Sequence, residues 1–254
     1  MTRLSEEGPA FRLALQFLTR LPVKVDDASD DELAGSPRWY PGVGVVVGVI
    51  AGLIYAGAVA IWPPLVAAIL STASGILVTG ALHEDGWADT CDGLGGGRTR
   101  ERALEIMRDS RVGSYGAIGL VLMLAGKVAV LTALPPAAAP WALIAGHAAS
   151  RASMLWMMQA LPYARDEGSG KAVSALLDGW GLQIAGATTV LALIPLLFVL
   201  PFHAVVLGLL GLVGGHVALR RRLEQRLDGW TGDCLGAVQQ ASEIGLLLGL
   251  AAFA

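Results

Sequence analysis

The sequence predicts an all-α fold: a polytopic helical bundle in a membrane, with about seven transmembrane helices (six to eight) and a short N-terminal interfacial helix. Of the 254 residues, 54% are hydrophobic and 15% are charged, and the mean hydropathy is +0.60. Several windows of about 20 residues carry no charge, which is long enough to cross a hydrocarbon core of roughly 30 Å. We therefore expect one membrane-embedded domain over residues 1–254.

The first element is the predicted interfacial helix, within a cytoplasmic segment of residues 1–40. Apolar residues recur at helical spacing between Phe11 and Leu21, and Pro22 ends the pattern. Because this stretch is too short to span, we expect it to lie along the membrane surface.

Seven apolar stretches follow, and proline pairs at 63–64 and 135–136 separate some of them. The first contains a stripe of glycines, at positions 42, 44, 48 and 52, which predicts a close helix contact. The predicted spans cover residues 41–62, 65–82, 113–134, 141–161, 182–200, 202–219 and 235–253.

The distribution of charge predicts the orientation. The chain has 18 Lys and Arg residues, and all except Lys127 and Arg151 fall in segments that are cytoplasmic if the N-terminus is cytoplasmic. This is the positive-inside pattern of a multi-pass protein of the cell (inner) membrane. The net charge is −3 and the basic residues are few and spread over several loops, so nucleic acid is not an expected partner.

The stretch HEDGWADTCDG, residues 83–93, concentrates acids where the second span ends. Asp85, Asp89 and Asp92 are four and three residues apart, which places them within roughly 60° on one helix face. Carboxylates that are this close must be protonated, neutralised by cations or shared by a hard metal ion such as Mg²⁺. A solvated acidic helix end is the alternative interpretation.

Residues 83–112 form the predicted catalytic loop and helix, and the same membrane face receives the loop 162–171 and the turn 231–233. Acids, a glycine-rich turn and arginines together suit phosphoryl or phosphodiester transfer, which depends mainly on positioning and charge neutralisation. Arg108, Asp109 and Arg111 stand directly before the third span and are candidate phosphate contacts. Arg100 and Arg102 could equally be an interfacial anchor.

Charges inside the spans predict buried partners. Arg151 is expected to have a functional or ion-pairing role, with Glu243 as its partner, and Lys127 could pair in the same way. His147 is expected to be structural. His83 differs because it adjoins the acids, where it could accept a proton or bind phosphate.

Several motifs resemble one family, the adenosylcobinamide-GDP ribazoletransferases, also called cobalamin synthases. The family pattern H-x-D-G-x-A-D-T-x-D-G matches HEDGWADTCDG, and its E-R-x-L-E-I-M-[KR]-D-S-R-x-G-x-x-G matches residues 101–116. Trp87 stands where the family usually has Leu, and this departure removes no ligand. Further matches, in order along the chain, are FLTRLP (17–22), P-x-V-G (41–44), PYAR (162–165) and T-G-D-x-x-G-A (231–237).

The resemblance implies that a ribose hydroxyl of α-ribazole, or of its 5′-phosphate, attacks the diphosphate of adenosylcobinamide-GDP. The products would be adenosylcobalamin, or its 5′-phosphate, and GMP, with Mg²⁺ as cofactor. Besides these substrates the lipid bilayer is an implied partner, and assembly with itself or with other cobalamin-assembly enzymes stays open. The general base is undecided between His83 and an aspartate.

The expected site residues fall into three groups. The catalytic group is His83, Asp85 and Asp89; the metal ligands are Asp85, Asp89 and Asp92, with Glu84 and Asp233 as additions; and the substrate-binding group is Arg108, Asp109, Arg111, Arg151, Arg165 and Thr231.

Three other functions share parts of this pattern. A CDP-alcohol phosphotransferase begins with D-x-x-D-G, as in 89–93, but then requires Ala-Arg and a later D-x-x-x-D, which this chain lacks. A membrane prenyltransferase requires a second aspartate-rich motif. A divalent-cation transporter requires acids along a path through the membrane, whereas Glu243 is the single acid inside a predicted span.

Overall fold

The computed structural model describes residues 7–165 and 173–252. Within these residues the regular structure is helical, apart from an isolated bridge between Tyr163 and Trp230. A 3₁₀ turn, Ser36–Trp39, separates the second and third helices. The helices are α1 (Glu7–Leu18), α2 (Asp30–Gly35), α3 (Tyr40–Val59), α4 (Pro64–Thr79), α5 (Leu82–Gly96), α6 (Arg100–Ile106), α7 (Ser114–Ala133), α8 (Ala139–Ala160), α9 (Gly179–Leu193), α10 (Leu196–Val199), α11 (Phe202–Leu227) and α12 (Gly232–Ala251).

The predicted all-α membrane fold is confirmed. In the described part of the chain, five segments are long and apolar enough to cross a membrane, or six if the bent pair α4–α5 is one span. They contain α3, α7, α9 with α10, α11 and α12. The remaining predicted span is α8, which has 22 residues but is less apolar and lies mostly buried among the other helices.

The glycine stripe of α3 makes the predicted close helix contact, and the helix that it contacts is α8. A Cβ at Gly48 would lie 2.5 Å from the Cα of Ile144, and one at Gly44 would overlap the carbonyl of His147. Small residues therefore let the two backbones approach closely. This contact fixes the rotation of α8, which carries His147 and Arg151.

The break between α4 and α5 directs the acidic stretch. Gly80 ends α4 with a φ of 67° and Ala81 follows with 61°, so two left-handed residues turn the chain by 90°. The backbone amide of Arg20 donates to the carbonyl of Val78 across 2.7 Å and ties the segment after α1 to this break. We therefore treat α4 as the crossing part and α5 as a helix at the membrane boundary.

Helix α1 is the predicted interfacial helix, although it begins and ends a few residues earlier than expected. Its buried face packs on the bundle, and the carboxylate of Glu7 accepts hydrogen bonds from Arg38, Trp39 and Trp180 at 2.8–2.9 Å. At the other end of the chain, the predicted basic turn is partly helical, because α11 continues to Leu227.

Candidate active site

The three aspartates lie on one continuous helix, α5, as their spacing predicts. Their exposure falls along the helix: Asp85 is exposed, Asp89 is half-buried and Asp92 is buried. The row of carboxylates therefore runs from solvent towards the protein interior.

Asp89 lies at the centre of a group of charges. Burial, followed by the charges of Asp85, Asp233 and Asp92, raises its pKa to about 7, and Arg165 acts in the opposite direction. A carboxyl group surrounded by other carboxylates resists ionisation, which is the cause of this rise in pKa. We call Asp85, Asp89 and Asp233 the acid cluster.

Asp233 reaches the cluster because α5 and α12 pack closely. A Cβ at Gly86 would lie 2.7 Å from the backbone oxygen of Asp233, and one at Gly236 would lie 3.2 Å from the Cα of His83. Glycine at both positions lets the N-terminus of α12 approach the acidic helix. Arg165 donates from Nη2 to Oδ2 of Asp233 across 2.9 Å, which brings a cation to the same place.

Asp92 has a structural role that the sequence analysis did not predict. Its Oδ2 accepts from the amide of Gly113 at 2.7 Å, and its Oδ1 accepts from the amide of Gly116 at 2.9 Å. The carboxylate thus binds free amides at the N-terminus of α7. The sequence signal for this contact was the pair of glycines in the S-R-x-G-x-x-G motif, Gly113 and Gly116. A Cβ at either position would collide with the carboxylate of Asp92. Both oxygens of this predicted metal ligand are already bound.

Glu84 points away from the acid cluster, contrary to its predicted place among the metal ligands. Its side chain is buried, and its Oε1 accepts from Nε2 of Gln240 at 2.9 Å. With Lys127, Arg151 and Glu243 it lines a small cavity of about 20 Å³ inside the bundle. One residue of helix rotates a side chain by about 100°, so Glu84 cannot share the face of Asp85.

The predicted pairing of Arg151 with Glu243 is wrong. Arg151 is fully buried and donates from Nη1 to the carbonyl of His147 and from Nη2 to Nε2 of His83, each across 3.0 Å. Glu243 instead pairs with Lys127 at 3.0 Å. The guanidinium of Arg151 is therefore engaged with protein groups, which does not support the predicted contact with substrate.

Thr231 is also buried, and its hydroxyl caps α12. The Oγ1 accepts from the amide of Cys234 at 3.3 Å, as an N-cap threonine does. The structure therefore gives Thr231 a capping role, and its contact with substrate stays a prediction.

The candidate phosphate contacts before α7 separate in space. Arg111 forms a two-point ion pair with Asp109, at 2.9 Å and 2.5 Å, and holds the pKa of that carboxyl at about 2. The pair lines an open groove of about 440 Å³ beside Gly113. Arg108 is exposed. Burial raises the pKa of Tyr163, and the charges of Arg165 and Arg108 both act in the opposite direction, so Arg108 lies on the same side as Arg165 and the acid cluster.

Among residues 7–165 and 173–252, no three His, Cys, Asp or Glu side chains converge on a point where they could hold a metal ion. The oxygen donors of the acid cluster nevertheless suit Mg²⁺, which commonly uses one or two carboxylates together with water and substrate phosphates. Asp85 and Asp89 are the residues that would hold such an ion. The loop expected over 162–171 lies outside the described residues from position 166 onward.

Comparison with known proteins gives a consistent result. Residues 10–251 match the family described as cobalamin-5-phosphate synthase. The chain is 41% identical to a protein of Polaromonas sp. (strain JS666) over 99% of each chain, and 43% identical to one of Leptothrix cholodnii over 98% of this chain and 97% of the relative. A protein of Vibrio parahaemolyticus is 36% identical over 96% and 92%. All three are named adenosylcobinamide-GDP ribazoletransferase. No solved structure matches.

Proposed function

The chain belongs to the cobalamin-5-phosphate synthase family, whose enzymes act in nucleotide-loop assembly during cobalamin synthesis, and we propose that it joins α-ribazole or its 5′-phosphate to adenosylcobinamide-GDP. The observation that supports a site for this reaction is that Asp85, Asp89, Asp233 and Arg165 lie near one another beside the N-terminal half of α5, where Gly86 packs on Asp233 and Arg165 donates to Asp233. The family match also removes the reason to favour a phospholipid-forming enzyme or a cation transporter.

The reaction is a displacement at phosphorus. The ribose hydroxyl oxygen forms a bond to the phosphorus atom that carries the cobinamide, the bond from that phosphorus to the GMP oxygen breaks, and GMP leaves. The hydroxyl proton passes to a base of the enzyme. Such a reaction needs charge neutralisation and alignment more than covalent catalysis.

Arg165 and Arg108 are the cations that we assign to the diphosphate. Arg165 already binds Asp233 at 2.9 Å, so its guanidinium is held beside the acid cluster before substrate arrives. A planar guanidinium can bind two phosphate oxygens at once. Asp85 and Asp89 would hold Mg²⁺ when it is bound, and the ion would supply positive charge to the diphosphate.

The general base is assigned to a carboxylate of the acid cluster in preference to His83. An arginine has no acceptor, so Nε2 of His83 must accept the hydrogen bond from Arg151. To take up a proton there, His83 would have to break that bond inside the protein. The exposed Asp85 and the half-buried Asp89 would not have to break a buried bond of this kind, and a carboxylate has two oxygens, so one can take the proton when the other holds Mg²⁺.

We place the reaction on the cytoplasmic face of the inner membrane. The reason is the concentration of Lys and Arg in the segments that share a face with α5. An accessibility assay on a cysteine introduced at Asp26, compared with one at Ala137, would report which face each occupies.

The activity is tested by GMP release from adenosylcobinamide-GDP by proteoliposomes that contain the full chain, with and without α-ribazole and Mg²⁺. We expect release that requires both. Asp85→Asn and Asp89→Asn should each lower kcat/KM by about 10³ or more, because a charge needed in the transition state is lost. Asp26→Asn, an exposed loop acid, is the matched control. Wild-type protein that releases no GMP under any condition would contradict the proposed function.

A further inference from the structure

A second cavity lies directly beside the acid cluster, between α1, α5, α8 and the N-terminus of α12. Its volume is about 110 Å³. Asp85, Asp233 and His83 line it, and its apolar wall consists of Phe17, Leu18, Leu82, Met154, Val173 and Leu235. Leu18, Met154, Val173 and Leu235 are buried and form its inner part, whereas Phe17, Leu82 and Asp85 are exposed and lie at its mouth.

The size of the cavity limits what can enter it. An apolar cavity of about 150 Å³ holds one benzene molecule, so this smaller cavity encloses less than a whole six-membered ring and can take only the edge of a ring system, with the remainder of the ligand at the mouth. A corrinoid ring is far too large. The volume therefore suits a small planar group attached to a longer, more polar molecule.

The chemistry of the wall selects among small planar groups. The six apolar wall side chains offer no strong hydrogen-bond donor or acceptor. The polar groups of the lining are the carboxylates of Asp85 and Asp233 and the ring of His83, whose Nε2 is already bound to Arg151. Guanine has polar edges on all sides, and burying them without partners is costly. A methyl-substituted benzimidazole has mostly carbon edges and gains from burial against Leu and Phe side chains.

We propose that this cavity is the binding site for the aromatic base of the ribazole substrate, an inference that rests on the proposed function. With the base against the apolar wall, the attached ribose lies at the mouth, beside Asp85 and Asp233. The hydroxyl that attacks phosphorus is thereby delivered to the acid cluster.

The test is a variant that fills the cavity without disturbing the fold. Gly232 lines the cavity, and a Cβ built there meets no atom within 4 Å, so a side chain can enter open space. Gly232→Leu should raise the KM for α-ribazole tenfold or more, because burial of a ring is lost. The KM for adenosylcobinamide-GDP should change less than about twofold. Gly186→Leu is the matched control, since Gly186 on α9 also faces open space and is absent from the cavity lining.

Two further measurements separate this role from structural damage. Binding of α-ribazole alone, measured by equilibrium dialysis without the second substrate, should weaken by the same factor. Gly232→Leu should also impair the riboside of unsubstituted benzimidazole less than α-ribazole, because the added side chain competes for the space of the methyl groups. Leu82→Phe, which narrows the cavity from a half-exposed position on α5, repeats the test if Gly232→Leu does not fold.

Failure of the inference about the cavity and failure of the proposed function give different experimental results. If wild-type protein is active and both narrowing variants keep an unchanged KM for α-ribazole, the cavity does not hold the base and the inference fails. A rise confined to the KM for adenosylcobinamide-GDP also overturns it. If wild-type protein releases no GMP at all, the proposed function itself fails.

Discussion

Arg151 on α8 donates from Nη2 to Nε2 of His83 on α5 across 3.0 Å, and both side chains are buried. The bond links a charge inside the bundle to the first residue of the acidic motif. It holds His83 as an acceptor, and it gives Arg151 a buried protein partner.

Removal of the His83 imidazole, which accepts this bond, should therefore destabilise the protein. We expect His83→Ala to lower the free energy of unfolding by about 1–3 kcal/mol, because the buried guanidinium loses a hydrogen bond. His83→Gln offers an amide oxygen and should recover most of the stability and most of the GMP release. Thermal unfolding in one detergent and the activity assay check both. A stable but inactive His83→Gln protein would instead identify His83 as the general base.

The ion pair between Lys127 and Glu243 should show strong coupling. Each side chain is buried, and Nζ of Lys127 lies 3.0 Å from Oε1 of Glu243, so loss of Glu243 leaves the ammonium without its ion-pair partner. Loss of Lys127 leaves the carboxylate with Gln239 and His147 as its neighbours. Lys127→Met and Glu243→Gln should each cost about 3–5 kcal/mol, and the double variant should cost less than their sum. Unfolding measurements on the four proteins of this cycle give the coupling energy. Additive costs would mean that the pair does not act as a unit.

The bonds from Asp92 to the start of α7 require glycine at position 113. A Cβ there would lie 2.5 Å from Oδ1 of Asp92, so Gly113→Ala should displace the carboxylate and reduce stability by about 1–3 kcal/mol. Gly126→Ala is the control in the same helix, because its Cβ would make an ordinary contact at 3.6 Å. The comparison is made by thermal unfolding. Equal stability of the two variants would contradict the structural role of Asp92.

Thr231 offers a direct test of capping against substrate binding. Thr231→Val keeps the shape but removes the hydroxyl that accepts from the amide of Cys234. We expect a loss of about 1 kcal/mol in stability, with KM values for both substrates within about twofold of wild type. Thr231→Ser should restore the cap. If Thr231→Val raised KM strongly and left the stability unchanged, Thr231 would contact substrate and would not act mainly as a cap.

Much of the fold could be predicted because its signals are local in the chain. Hydropathy located α3, α7 and α12 within a few residues, and the helical spacing of Asp85 and Asp89 placed them on one face before any contact was known. The glycine stripe of α3 likewise predicted a close helix contact, since small residues permit few other arrangements in a membrane. The motifs named the family for the same reason: they can be recognised without knowing how the chain folds.

The partners of buried polar side chains were decided by tertiary structure alone. His83 and Arg151 are 68 positions apart, and their meeting depends on how α5 and α8 are rotated within the bundle. The same helix rotations place Glu84 inside the bundle, where it binds Gln240, and place Glu243 beside Lys127. From the sequence alone, several pairings between the buried acids and bases would balance their charges equally well. Only the packing of helices that are distant in sequence decides which pairing forms.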